Sequence, residues 1–247
     1  DAERFAFFCK ATLEFMQVSK RSPEILHAHD WACALAPVLL FETYRAFGMT
    51  HPRAVLTIHN VQHQGHTNEA VLRAVHLEPA RYMTEGRLLD DHRAGVVNLL
   101  KGGIVFSNFV TTVSPRYMHE IRHTDLGHGL QPVLARHAEK LGGVLNGVDY
   151  DVWNPEVDGS LPVRYGPSSI ERKYQVKEAL RKRLWLRDGF KPIVAVVSRL
   201  DAQKGVELIK HALLLTLAHD CQFVLLGTSP DPQIQRDFEA LKRRFND

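Results

Sequence analysis

The chain has 247 residues, 45% hydrophobic and 24% charged, the make-up of a globular protein with length for one large or two ordinary domains. Its 31 basic and 28 acidic residues leave a net charge of +3 with no block of five like charges, so a nucleic-acid footprint is not indicated. No apolar run approaches the roughly eighteen residues of a membrane span, and three widely spaced cysteines, Cys9, Cys33 and Cys221, read as reduced core thiols of a cytoplasmic protein.

Apolar positions Phe5, Phe8, Leu13 and Met16 predict a helix closed by Ser22-Pro23. Glu24 to His29 reads as a strand, Trp31 to Phe47 as a helix, and Ala54 to His59 as a second strand. A polar loop follows from Asn60 to Asn68. Helical pattern returns over Arg87 to Leu100, with Gly102-Gly103 as its C-cap. Phe109 to Val113 is β-rich, and Pro115 to Ile121 fits a helix with Ser114 as N-cap and Pro115 at its first position.

Strands alternating with helices predict a parallel sheet. Gly142 to Val148 is a glycine-flanked apolar segment. Asp149 to Ser169, with Pro155, Pro162 and Pro167, has linker composition and marks a domain boundary near it. Beyond it come a charged helix from Ile170 to Leu186, in which Arg181-Lys182-Arg183 reads as one solvated face, then the strand Ile193 to Ser198. A helix from Val206 to Leu217 and the strand Gln222 to Gly227 complete a βαβ unit. The chain starts without Met and stops within a helical pattern, so it is expected to be a piece of a longer protein.

The strand before Ser198 leads into Arg199, Lys204 and Gly205, directly ahead of a helix. Ligands of open α/β sheets bind beyond the carboxyl ends of strands, so two cations and a helix N-terminus at that place predict an anion site, phosphate above all. Arginine offers a planar fork and lysine a mobile point charge.

The first strand ends in His27-Ala28-His29-Asp30-Trp31. Alternation puts His27 and His29 on one face, with Asp30 and Trp31 at the turn. A carboxylate beside an indole suits a sugar, whose hydroxyls meet the acid and whose apolar face meets the ring. The alternative is that Asp30 caps the next helix and Trp31 packs on it. The second strand ends in His59-Asn60, which places His59 at the same sheet edge. His63 and His66 add imidazoles, but their loop spacing without cysteine or a helical His-x3-His face argues against a metal. Asp149-Tyr150-Asp151 matches a cation-binding Asp-x-Asp pattern but lies where linker composition begins, and reads as hinge structure. P-loop, dinucleotide and nucleophile-elbow motifs are absent from the sequence.

Taken in order, Asp1-Ala-Glu-Arg-Phe5, His27 to Trp31, Thr57-Ile-His-Asn60 with Gln64-Gly65, and Asn98 to Ile104 form a distinctive series. Thr112 to Pro115, Gly143-Val-Leu-Asn146-Gly-Val-Asp149 with Trp153 to Pro155, and Ser198 to Leu200 with Gln203 to Gly205 continue it. The series resembles the bacterial glycogen synthase and plant starch synthase family, and spans the chain from end to end. The resemblance implies an α/β fold of GT-B type, two Rossmann-like domains with parallel sheets facing each other across a cleft, both incomplete here. Residues 1–145 would belong to the acceptor-side domain, and 146–247 to the hinge and the first part of the nucleotide-sugar domain.

The implied activity is retaining transfer of glucose from ADP-glucose to the non-reducing end of an α-1,4-glucan, with no cofactor and no membrane or nucleic-acid partner. Arg199 and Lys204 would hold the donor diphosphate, with Gly205 beside them. Asp30, Trp31, His59 and Asn60 would line the glucosyl and acceptor side, and Asn146 the domain junction. Recognition of ADP over UDP does not follow from these residues.

Three departures qualify the match. The family's Lys-x-Gly-Gly-Leu and Glu-x-x-Gly-Leu segments are not in these 247 residues, which implies that they are inactive or nearly so by themselves. His63-Gln64-Gly65 stands where the family has Tyr-Gln-Gly, and Thr67 to Arg87 matches poorly, which puts the acceptor-side loop in question. The competing expectations are another GT-B transferase with a different acceptor, and a non-catalytic glucan- or nucleotide-binding module derived from a truncated synthase.

Overall fold

Alternating strands and helices build two separate α/β units, Asp1–Gly147 and a second starting at Val148, in a computed structural model that describes residues 1–245. In the first unit the elements run α1 (Ala2–Val18), β1 (Ile25–His29), α2 (Asp30–Cys33), α3 (Leu35–Leu39) and, after a π-helical turn over Leu40–Tyr44, β2 (Arg53–Ile58). They continue as β3 (His66–Thr67), α4 (Ala70–Ala74), α5 (Pro79–Tyr82), β4 (Val97–Asn98), α6 (Leu99–Phe106), β5 (Phe109–Thr112), α7 (Pro115–His123), α8 (Gln131–Arg136) and β6 (Leu141–Gly143).

Four strands form a parallel sheet in the order β1-β2-β5-β6, with Ala28 beside Leu56 and Leu56 beside Val110. Even-numbered Ala28, Leu56, Ile58 and Val110 enter a core with Leu100, Ile104 and Leu134. Odd-numbered His27, His29, Thr57 and Thr111 share the opposite face, as two-residue periodicity requires.

The expected helix from Arg87 to Leu100 is not there. Leu88 to Asn98 instead closes on itself, Asp90 N–H donating to Val96 C=O at 2.9 Å and Asn98 N–H to Leu88 C=O at 2.7 Å. Asp90 Oδ1 accepts from His92 N–H, a local turn that competes with helix. The helix begins only at Leu99, because Asn98 Oδ1 accepts from Lys101 N–H as an N-cap.

The reading of Gly102-Gly103 as a C-cap is therefore wrong. Both lie within α6, and a Cβ would meet Leu88 Cγ at 2.6 Å from Gly102 and Ala34 Cβ at 2.7 Å from Gly103. They are small so that α6 can approach its neighbours closely. Beside them Lys101 is buried, its ammonium donating to Leu89 C=O and paired with Asp91 at 2.5 Å.

In the second unit, turns from Asp149 onward and a 3-10 segment over Pro167–Arg172 lead to α9 (Lys173–Arg183), β7 (Ile193–Val197), α10 (Val206–Ala218), β8 (Gln222–Leu226) and α11 (Pro232–Phe245). β7 and β8 pair in parallel, and Leu200, Val206, Ile209 and Phe238 make the core. Arg181 is not part of a solvated face: it is 1% exposed. Its guanidinium pairs with Glu178 and donates to Gln222 Oε1 at 3.1 Å and Lys191 C=O at 2.9 Å. Lys182 and Arg183 are exposed.

The three cysteines are free, with Cys9 buried. Among the described residues no helix is long and apolar enough to cross a membrane.

Candidate functional site

The carboxyl ends of β1 and β2 are joined by one carboxylate. Asp30 has a left-handed backbone, φ 55°, a conformation that aspartate tolerates better than most residues. Its Oδ1 accepts from His59 N–H at 2.7 Å and Asn60 N–H at 3.3 Å. Asp30 thus makes no side-chain cap for α2, whose N-cap is His29. Asn60 Oδ1 accepts from Gln62 N–H, turning the chain away from the strand.

Imidazoles line the same edge. His29 Nδ1 and His59 Nε2 are 3.0 Å apart, and the rings of His27 and His29 lie tilted at 34° with centroids at 4.2 Å. His27 Nε2 meets Thr57 Oγ1 at 2.7 Å, which meets Thr111 Oγ1 at 2.6 Å. Burial, then the neighbouring His27 and His59, hold His29 below the ordinary histidine value, against a smaller opposing effect of Asp30.

Trp31 is turned into packing. Its ring meets Phe5 edge-on at 5.1 Å, and Gly65, with φ 65°, leaves no room for a Cβ against the indole. Asn146 is exposed in the segment after β6, beyond the same ends of the parallel sheet. Asp30, His59 and Asn60 are thus in direct contact, whereas Trp31 packs against Phe5 and Gly65 and Asn146 lies in an exposed segment.

Behind the loop that follows Asn60 lies a polar network that sequence reasoning missed. Asn98 Nδ2 donates to Gln64 Oε1 at 2.6 Å and to Asp90 Oδ2 at 2.9 Å, and His66 Nε2 is 2.9 Å from the same carboxylate. Burial raises the Asp90 carboxyl, but bonds from Asn98, the His92 N–H and His66 outweigh it and hold it below its ordinary value. Tyr117, whose hydroxyl accepts from Val61 N–H at 3.1 Å, was also missed. The capping sequence around Asn98 was the network's one visible signal.

His59, His63 and His66 diverge. His59 engages His29, His66 engages Asp90, and His63 is exposed. Among the described residues no cluster of three or more His, Cys, Asp or Glu could hold a metal. Asp149 Oδ1 accepts from Asp151 N–H at 2.9 Å, so the Asp-x-Asp segment is a turn.

In the second unit β7 runs into Ser198, whose N–H donates to Leu226 C=O, and then into Arg199. Arg199 is exposed, its Nη2 3.7 Å from Asp201 Oδ2. Lys204 ends the 3-10 turn Ala202–Lys204, and Gly205 reverses the chain with φ 68° to start α10. Glycine enters that conformation at no steric cost. The first N–H groups of α10 are without intrahelical partners, and with Arg199 and Lys204 they make a cationic end to the strand.

Residues 1–136 match the family model described as the starch synthase catalytic domain. The chain is 60% identical over 247 residues to glycogen synthase 1 of Nitrosococcus oceani and 54% identical over 248 residues to glycogen synthase 2 of Methylococcus capsulatus. Each match covers all of this chain and 51% of the relative, so the chain spans about half the length of these curated relatives. The catalytic domain of starch synthase IV from Arabidopsis thaliana, solved bound to ADP and acarbose, matches with a TM-score of 0.94 at 40% identity, over 98% of this chain and 50% of that one. The α/β fold with parallel sheets is of the GT-B type, represented in part, and the chain belongs to the starch synthase catalytic domain family.

Proposed function

We propose that the protein carries part of a retaining glucosyltransferase that moves glucose from ADP-glucose to the non-reducing end of an α-1,4-glucan. The observation that carries this reading is the end of β7, where Arg199, Lys204 and the Gly205-initiated helix gather positive charge. The relatives' names and the ADP and acarbose of the solved starch synthase support the donor and acceptor classes.

Breaking a glycosyl phosphate builds positive charge on the sugar and negative charge on the departing diphosphate. Fixed cations at the leaving group lower that barrier. Arg199 and Lys204 take this part, with Gly205 letting the backbone approach the phosphates. Asp30 holds His59 and Asn60 for the glucosyl and acceptor side, Trp31 lines the same side, and Asn146 contributes from its exposed segment. Attack on the face the diphosphate leaves, with a phosphate oxygen taking the proton of the incoming 4-hydroxyl, gives retention. Domain assignment follows the same reading: residues 1–145 acceptor side, 146–247 hinge and nucleotide-sugar side. The protein acts in the cytoplasm, on no nucleic acid and at no membrane.

The test is incorporation of labelled glucose into glycogen by a chain extended to the relatives' full length, with UDP-glucose and Lys204→Ala run alongside. Incorporation that prefers ADP-glucose and collapses in the variant supports the reading. Glucan binding without incorporation from either donor would replace it with a binding module.

A further inference from the structure

We propose that His29 is a positioning residue for His59, fixing the orientation and tautomer of that ring through an imidazole–imidazole hydrogen bond. The inference rests on the proposed function for its effect on turnover, but its geometry stands on its own.

His59 is held at two points by consecutive residues at the end of β1. Its main-chain N–H is held by Asp30 Oδ1 at 2.7 Å, which fixes where the backbone leaves the strand. Its ring Nε2 is 3.0 Å from His29 Nδ1, with centroids 5.3 Å apart, which fixes how the ring is turned. A hydrogen bond between two neutral imidazoles uses one proton: one nitrogen donates and the other accepts. The tautomer of each ring is therefore coupled to that of the other, and His59 has Nδ1 left for a substrate hydroxyl.

His29 is in turn fixed from its other side. The His27 ring lies 4.2 Å away at 34°, and His27 Nε2 is engaged with Thr57 Oγ1, itself engaged with Thr111 Oγ1. This row spans β1, β2 and β5, so the sheet itself sets the ring positions. The titratable groups around His29 are His27, His59 and Asp30, and burial with the two imidazoles favours its neutral form. An orienting carboxylate, the commoner device, would draw positive charge onto the ring it holds. An orienting imidazole fixes the ring without that charge, which suits a hydrogen-bonding role toward a sugar hydroxyl better than abstraction of its proton.

Two substitutions separate the hydrogen bond from the packing. His29→Asn can place an amide near the position of Nδ1 and keep the bond, whereas His29→Phe keeps a ring against His27 and removes it. In the 247-residue chain, ¹⁵N NMR of the His59 ring nitrogens reads the tautomer directly. The expected result is that the His59 signals shift and broaden in His29→Phe and stay near wild type in His29→Asn. In the extended chain, His29→Phe should lower kcat on the order of tenfold, with little change in KM for glucan, and His29→Asn should recover most of it. In a His59→Ala background His29→Phe should have no further effect.

Unmoved His59 signals in His29→Phe would overturn the proposal, as would an undiminished kcat loss in the His59→Ala background. If the extended wild type transfers no glucose while the His59 signals respond as described, the functional reading fails and the positioning stands.

Discussion

Asp30 Oδ1 lies 2.7 Å from the main-chain nitrogen of His59, so a residue at the start of one helix sets the exit path of the neighbouring strand. Asp30 also carries a backbone φ of 55°. Three variants divide these contributions. Asp30→Asn retains an oxygen acceptor and should lose the least stability. Asp30→Gly relieves the backbone but loses the bonds, about 1 kcal/mol. Asp30→Ala loses the bonds and adds left-handed strain, about 2–3 kcal/mol in all. Urea unfolding should give the order Asn, Gly, Ala; Ala ahead of Gly would refute the backbone part of the argument.

Asp90 anchors the network with Asn98, His66 and the His92 N–H. Its carboxyl titrates below the ordinary value in the fold, so its contribution is complete above the unfolded pKa and fades as pH falls through the folded one. Asp90→Asn should cost about 1–3 kcal/mol at pH 7. The gap between wild type and variant should narrow once pH drops below about 4. Paired unfolding curves across pH 3–7 measure it, and a constant gap would mean that the carboxylate charge is immaterial.

Arg181 joins α9 to β8 and to the segment before β7 through Gln222 and Lys191 C=O. Replacement by methionine keeps much of the volume but strands these acceptors and Glu178. The expected loss is about 3 kcal/mol, seen as a lower thermal midpoint for the second unit. Lys182→Met, on an exposed side chain, should shift that midpoint little.

Burial pushes the Cys9 thiol up to about 12, the nearby Cys33 adding to the effect. A thiol at that value is protonated at pH 8 and shielded as well, so alkylation followed by peptide mapping should modify Cys33 and Cys221 before Cys9. Modification of Cys9 at an equal rate would show that α1 opens readily.

Where a signal is carried by neighbours in sequence, the fold was readable in advance. Ser114 and Pro115 start α7 as a cap and a first-turn proline should, Ser114 Oγ accepting from Tyr117 N–H. Alternation in His27-Ala28-His29 put the imidazoles together and Ala28 in the core. What failed depends on partners far along the chain. Leu88 to Asn98 has helical spacing, yet its turn is stabilised by Asn98 and His66 converging on Asp90. Gly103 is dictated by Ala34, and Arg181 by Gln222. Of the site, residue types at the strand ends were legible, whereas the link from Asp30 to the main chain of His59 exists only once β1 and β2 are paired.

The odd-numbered row His27, His29, Thr57 and Thr111 backs onto the even-numbered Ala28, Leu56, Ile58 and Val110. A slip of β1 or β2 by one residue would drive imidazole or hydroxyl groups into the apolar layer and turn its side chains outward. The polar row therefore also acts as an alignment mark. Swapping these histidines and threonines for aliphatic residues would leave the strands well suited to a sheet yet less certain which rung to pair, so the polar row at this edge and the fidelity of its assembly draw on the same side chains.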